Sequence, residues 1–477
     1  MRRTSKILPP ILLLSVILRI AVALYLGNIV DAPPLLTDQR SYHALGARLI
    51  AGHGYSFDVG WYPFTLPNTP TAHWSFLYSL FVAAVYAVAG VQPLAARLVQ
   101  AVLGGVLLPW MAFRFARRLF SSPADEAVRA GSVAAQNQQA DPSRAEVLGL
   151  LTAALAAIYP YFALYAATLM TETFYITALL WSLERTLAVR ERLTQRQRIG
   201  VRLAVTLGLS LGIAVLLRQS ILPWVMVLFV WLLWIGRCMG QSRGVLKALA
   251  TALVPIVLLV LPFTIRNYHV YGSLLLLNSN AGYAMFSAQH PMHGTNFQEF
   301  SAAPLPEELW GQNEAEMDRE LMRRGIGFVT ADPQRYLRLS LSRVRAYLDF
   351  RPSEASSPVN AVGRVLAFGF FVPLMVYGVG LALRAAGRSA STPSGSGQAE
   401  GMTAGKTQVG AWADFLTTPL ALILMFAVFY SVLHIMTWAM PRYRLPVDAV
   451  LMPFAALALL DLAHRTSFRR RLLVASP

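Results

Sequence analysis

Four short stretches of this 477-residue chain carry side chains that could do chemistry. The first is Asp38-Gln39-Arg40-Ser41-Tyr42, which follows a proline-stiffened turn at Asp31-Ala32-Pro33-Pro34. The others are Thr171-Glu172-Thr173, Arg266-Asn267 and Pro441-Arg442-Tyr443-Arg444. A carboxylate can take a proton from an acceptor hydroxyl. Arginines can grip a phosphate leaving group through paired N–H donors and stabilise its developing charge. Each stretch also has a plain structural reading. Asp38 could cap a helix, Glu172 could answer a helix dipole, and Arg266 could anchor a span at the membrane interface.

These residues lie in a chain built for lipid. It is 56% hydrophobic and only 14% charged, with mean hydropathy +0.49, whereas a soluble domain carries roughly a quarter charged residues. Several runs approach the roughly 20 apolar residues that cross a bilayer. The fold class is therefore an all-α polytopic membrane protein. The net charge of +17 fits basic residues gathered in cytoplasmic loops, and nucleic acid is not an expected partner. The lone Cys238 excludes an internal disulfide and a cysteine-cluster metal site. Met1-Arg2-Arg3-Thr4-Ser5-Lys6 precedes an apolar run with no small-residue cleavage site, so it reads as an anchor and not a signal peptide.

About ten spans follow from the apolar runs, at 7–27, 94–113, 147–163, 172–187, 203–217, 221–235, 248–265, 365–383, 415–440 and 447–462. The run 74–90 is short, and counting it as a span would invert every later basic loop. It is read as a juxtamembrane or re-entrant helix. Both termini are then cytoplasmic. The segment 121–146 has a disordered composition, and 384–410 that of a flexible linker. Three divisions result: residues 1–265 with a first exoplasmic loop at 28–73, a long exoplasmic segment at 266–363, and the closing helices at 364–477. All four reactive stretches fall on the outer side. Arg442 and Arg444 violate the charge bias in a short outer loop, which favours a functional reason. Arg19, inside the first span, needs a partner or a snorkelling route. The outer histidines, at 43, 53, 73, 269, 290 and 293, show no metal-ligand spacing. A divalent metal stays open but is not indicated.

The order of motifs resembles the GT-C membrane glycosyltransferases, most of all the bacterial relatives of protein O-mannosyltransferases and aminoarabinose transferases. Asp38 to Gly52 resembles their first-loop motif, and Pro160 to Glu172 their second outer loop. Leu261-Pro262-Phe263-Thr264-Ile265-Arg266-Asn267, followed by Asn278 to Gly282, resembles a Pro-Trp-x-x-Arg-Asn pattern. Phe328 to Leu337 resembles a helix leading back to the membrane, and Arg442 to Pro446 a late outer-surface motif. The resemblance implies a sugar donor linked to a polyprenyl phosphate, a protein, lipid or glycan acceptor, and an inverting single displacement at the outer face of the inner membrane. It makes Asp38 the base. Glu172, Arg40, Tyr42, Arg266, Asn267, Arg442 and Arg444 become the substrate-binding set. Two departures stand out: Gln39 replaces a usual second acid, and Pro70 to Phe76 replaces a His-Pro-Pro-like segment. The competing reading is a transporter or lipid-carrier flippase, which the outer charges fit poorly because transporter sites usually lie mid-membrane. A non-catalytic assembly protein is a third reading, which Gln39 leaves open.

Overall fold

Apolar runs in a bilayer become helices because each backbone N–H and C=O must be satisfied within the segment. The computed structural model describes residues 4–31, 38–121, 142–297, 303–349, 358–391 and 414–474. Most of the expected disorder at 121–146, most of the linker at 384–410 and the Pro33-Pro34 turn lie outside them. Among the described residues the chain is helical, with no strand. Two isolated bridges, Ser56–Pro70 and Trp61–Thr65, staple the first loop.

In chain order the helices are α1 (Thr4–Leu26), α2 (Asp38–Ile50), α3 (Phe76–Ala89), α4 (Pro93–Phe120), α5 (Pro142–Ile158) and α6 (Pro160–Ala167). Then come α7 (Glu172–Thr194), α8 (Val201–Leu217), α9 (Leu222–Cys238), α10 (Ser242–Tyr271) and α11 (Ala281–Gln289). The series closes with α12 (Glu314–Ala331), α13 (Pro333–Leu348), α14 (Pro358–Leu366), α15 (Val372–Ser391), α16 (Pro419–Met436) and α17 (Leu445–Val474). A π-helical turn, Ala367–Phe371, joins α14 to α15.

All ten expected spans are helical. Among the described residues seven helices are long and apolar enough to cross a membrane, or eight if Arg144–Ile158 and Pro160–Ala167, bent by 57°, form one broken span. The remaining two fall short for visible reasons. α8 has only 17 residues, and α7 carries Glu184, Arg185 and Arg190 in its second half. α10 continues to Tyr271, so Arg266 and Asn267 are helical and the expected boundary at 265 falls inside an element. Likewise α15 runs to Ser391, past the expected start of the linker. α3 is 14 residues, about 21 Å long, and does not cross. Ser75 before it donates to Leu216 O at 2.8 Å. Beyond it Leu94 N donates to Asn28 Oδ1 at 2.9 Å, so both its ends stay at one end of the bundle.

Two buried arginines explain how the bundle is closed. Pro160 has no N–H to give Ala156 O, four residues earlier, and the helix breaks there. Arg19, fully buried, supplies the missing donors to Ala156 O (3.1 Å) and Ala157 O (2.9 Å). The intramembrane arginine thus has partners and does not snorkel. Arg97 serves the end of α1 in the same way, donating to Leu26 O (3.2 Å), Gly27 O and Ile29 O (2.7 Å). At the opposite end of the bundle Glu184 binds Arg114 (3.3 Å), Arg118 (3.0 Å) and Arg185. The basic cluster of α4 is therefore tied to α7.

Candidate active site

Asp38 opens α2, in the first turn, where a carboxylate meets the positive end of the helix. A 3-10 turn, Pro441–Arg444, leads into α17 and carries Arg442 beside it. Arg442 Nη1 lies 2.9 Å from Asp38 Oδ2, with side chains 13% and 24% exposed. The approach is an ion pair without hydrogen-bond alignment, and Arg442 Nε is buried with no acceptor.

A second pair lies next to it. Glu172 opens α7 and is 2% exposed on its side chain; Arg218 Nη2 is 2.5 Å from its Oε1. Glu172 Oε2 is buried and has no donor. Arg218 stands at the break between α8 and the 3-10 turn Gln219–Ile221, in extended backbone. Burial, the largest single influence, lowers its pKa, but Glu172 together with Tyr430 and Tyr443 outweighs it, and the Arg218 pKa is raised. Its guanidinium sits 5.5 Å from the Tyr175 ring and 5.3 Å from the Tyr443 ring. Arg442 lies over the same Tyr443 ring at 5.4 Å. One aromatic side chain thus joins the two ion pairs. Breaking a buried pair by removing one partner costs about 3–5 kcal/mol, so these contacts fix the geometry strongly.

The wall behind the pairs is aromatic. Tyr42 is buried edge-on to Trp74 (5.8 Å) and Tyr78 (4.6 Å). Burial, then Asp38 and more weakly Glu172, push its hydroxyl well above the usual range, so it remains a neutral group. His73 bonds Ser279 O at 3.2 Å, which places its proton on Nδ1. Burial holds its pKa down against Glu314 and Asp38.

The other expected binding residues are placed differently. Arg40 pairs with Asp31 at 2.8 Å, both well exposed, a contact of under about 1 kcal/mol. Arg266 donates to Thr71 O (2.8 Å) and packs over the Tyr55 and Phe76 rings. It clamps the first loop to α10. Asn267 is fully buried and donates to Leu275 O (3.2 Å) and Leu277 O (2.7 Å), which fixes the turn after α10. Arg444 turns into the bundle, pairing with Asp448 at 2.9 Å under the Phe368 ring. Tyr159 donates to the same carboxylate at 2.7 Å. Arg442 is thus the member of the expected arginine set that faces Asp38.

Gln39, the departure from the family pattern, accepts from Arg97 Nη2 (2.9 Å) and Leu169 N (3.1 Å). It ties α2 to α4 and to the turn before α7. Sequence reasoning passed over Arg218 and Arg97. Arg218 had a usable signal: it lies in a three-residue turn between two apolar runs on what the sequence reading takes as the outer side, the same breach of the charge bias that singled out Arg442. Among the described residues no three His, Cys, Asp or Glu side chains are grouped to hold a metal. Each site carboxylate faces a guanidinium, Asp38 that of Arg442 and Glu172 that of Arg218.

No protein-family model matches the chain, and no curated protein matches it. Solved structures do. The oligosaccharyltransferase of Archaeoglobus fulgidus in its apo form superposes with TM-score 0.53 and 13% identity, covering 98% of this chain and 52% of that one. The same protein tethered to an acceptor peptide containing the NVT sequon gives 0.53 and 12%, with 98% and 50% coverage. ArnT from Cupriavidus metallidurans, bound to undecaprenyl phosphate, covers 93% of this chain and 77% of that one at 16% identity. Its TM-score of 0.33 is too low to bear on the fold. The chain spans about half the length of the oligosaccharyltransferase it matches. At these identities the likeness defines the fold. This is a polytopic all-α membrane protein with the GT-C fold, similar over nearly its whole length to part of an archaeal oligosaccharyltransferase.

Proposed function

We propose that this protein is an integral-membrane glycosyltransferase acting at the outer face of a bacterial inner membrane. It moves a sugar from a polyprenyl-phosphate donor to an acceptor hydroxyl. One observation carries the reading. At one end of a GT-C fold, the partly accessible Asp38 faces Arg442, whose Nε has no acceptor, beside Glu172, whose Oε2 has no donor. A buried N–H and a buried carboxylate oxygen left unpaired are costly, and a ligand with both an anionic oxygen and a hydroxyl would satisfy them.

In the reaction the acceptor hydroxyl gives its proton to Asp38 as its oxygen bonds to the anomeric carbon. The bond from that carbon to the phosphate oxygen breaks, and its electron pair leaves with the phosphate. Arg442 receives the charge that develops there, which is the contribution expected of a preorganised donor. Glu172, held by Arg218, orients a donor hydroxyl through Oε2. A single displacement of this kind inverts the anomeric centre. The acceptor class is a protein, lipid or cell-envelope glycan.

The test is reconstitution with a radiolabelled polyprenyl-phosphate sugar and envelope acceptor. Release of free polyprenyl phosphate with transfer of label supports the reading. A donor translocated intact indicates a flippase and overturns it. Asp38→Asn should abolish transfer while leaving donor binding within a few-fold of the parent.

A further inference from the structure

We propose that the outward face of α13 is a docking surface for the anionic headgroups of a phospholipid leaflet. This surface lies apart from the ion-paired site and does not depend on the glycosyltransferase reading.

The inner face of α13 is anchored to a membrane span. Leu339, Ser340, Arg343 and Tyr347 are buried. Tyr336 OH donates to Met436 O at 3.1 Å, and Tyr347 OH meets Ser431 Oγ at 3.2 Å. Met436 ends α16, a helix apolar enough to cross the membrane. Ser431 lies one turn and more inside it, about 7.5 Å at 1.5 Å per residue. The far end of α13 therefore reaches below the mouth of the span, to the depth where headgroups give way to acyl chains.

The opposite face suits that depth. Leu337 is 60% exposed, Leu341 62% and Leu348 50%. Spacings of four and seven residues align them in one stripe. Arg338 and Arg345, both exposed, line one edge of the stripe at 3.6 residues per turn, and neither is paired within the described protein. The remaining charges are turned elsewhere. Arg335 donates to Gln289 O and Gly294 O, and Arg343 to Ala288 O and Ile435 O. Asp332 caps the helix by accepting from Arg335 N, and Asp349 follows its end. Exposed leucines beside unpaired arginines, on a helix anchored at the mouth of a span and inclined to it, form the pattern of an interfacial element. Basic side chains at that level attract anionic lipid.

The experiment uses the full chain with Cys238→Ser, reconstituted in bilayers of phosphatidylcholine and phosphatidylglycerol. Spin labels are placed by Leu341→Cys and by Leu348→Cys, with the exposed Glu316→Cys on α12 as the aqueous control. Power saturation should show oxygen dominating over a water-soluble nickel chelate at 341 and 348, and the reverse at 316. Dominance of the nickel chelate at both leucine positions overturns the proposal. Strong dipolar broadening there also overturns it, because it would show a second copy as the occupant. The paired variant Arg338→Gln, Arg345→Gln should lose at least half of the preference for phosphatidylglycerol over phosphatidylcholine in native mass spectrometry. An unchanged preference overturns the charge assignment.

Discussion

Asp38, Arg442, Glu172 and Arg218 act as two coupled pairs, and the coupling yields predictions for single residues. Arg218→Gln leaves Glu172 buried without its cation, so stability should fall by about 3–5 kcal/mol, read as a lower melting temperature in detergent. Glu172→Gln in that background should restore part of the loss, since residues in contact are not additive. A loss equal to the sum of the single variants would sink the idea that the pair acts as a unit. Gln39→Leu removes the acceptor of Leu169 N and of one N–H of Arg97 Nη2, whose bond to Ile29 O remains, each lost partner costing about 1–3 kcal/mol. Gln39→Glu should be tolerated, because Arg97 then meets a carboxylate. If Gln39→Leu melts like the parent, Gln39 does not hold α2 in place.

The elements hold these residues through close packing and buried carboxylates. α2 approaches α3 at Gly46, where an added Cβ would lie 2.6 Å from Val82 Cγ1. Gly46→Val should therefore push α2, and Asp38 with it, off α3 at a cost of about 1–3 kcal/mol; activity should fall with the melting temperature. On the loop side, Glu314 accepts from Thr65 Oγ1 (2.6 Å), Ala72 N (2.7 Å) and Ser279 Oγ (2.8 Å). It fastens α12 to the first loop. One turn on, Asp318 accepts from Gly282 N (2.8 Å) and Tyr283 N (3.3 Å). Burial raises its pKa to about 6, with Glu314 adding to the rise and the two N–H groups opposing it. The folded state therefore holds this proton more tightly than the unfolded chain does. The stability it contributes is complete below about pH 4 and is lost as pH rises through about 6, to the extent of roughly 3 kcal/mol. Asp318→Asn should flatten the melting temperature between pH 4 and 6. A parent-like slope would place the titration elsewhere.

At the scale of the molecule, the helices deliver the reactive side chains to one end and the basic clusters to the other. The site end gathers α2, the start of α7, the Arg218 turn and the Pro441–Arg444 turn. The opposite end holds Glu184 with its three arginines and the exposed Cys238 in the last turn of α9. If the site faces outward, a membrane-impermeant maleimide should label Cys238 only after the cells are opened. Labelling in intact cells would invert the orientation and remove the outer-face assignment. Orientation is a property of the whole chain, since no single loop decides it while the sum of basic loops does.

By itself the sequence determined what local chemistry can encode. Apolar run length specified the helices, because lipid satisfies no backbone group. The treatment of 74–90 as a juxtamembrane or re-entrant helix rested on its shortness and on charge, and the helix found there, α3, has 14 residues. Arginines in short outer turns marked Arg442, and the same rule applied evenly would have marked Arg218. What only the tertiary structure decided was pairing. Arg442 and Arg444 stand two residues apart, yet one meets Asp38, some 400 positions earlier, and the other Asp448 in the first turn of the helix that follows. Their spacing puts them on different sides of one turn, and which side faces the site depends on how α17 docks. Gln39 read as a missing acid, and the fold shows it as the acceptor for Arg97. Arg266 read as a phosphate ligand, and the fold shows it gripping the first loop. Such partners lie far apart in the chain, and their meeting is set by packing of whole helices, which no local spacing records.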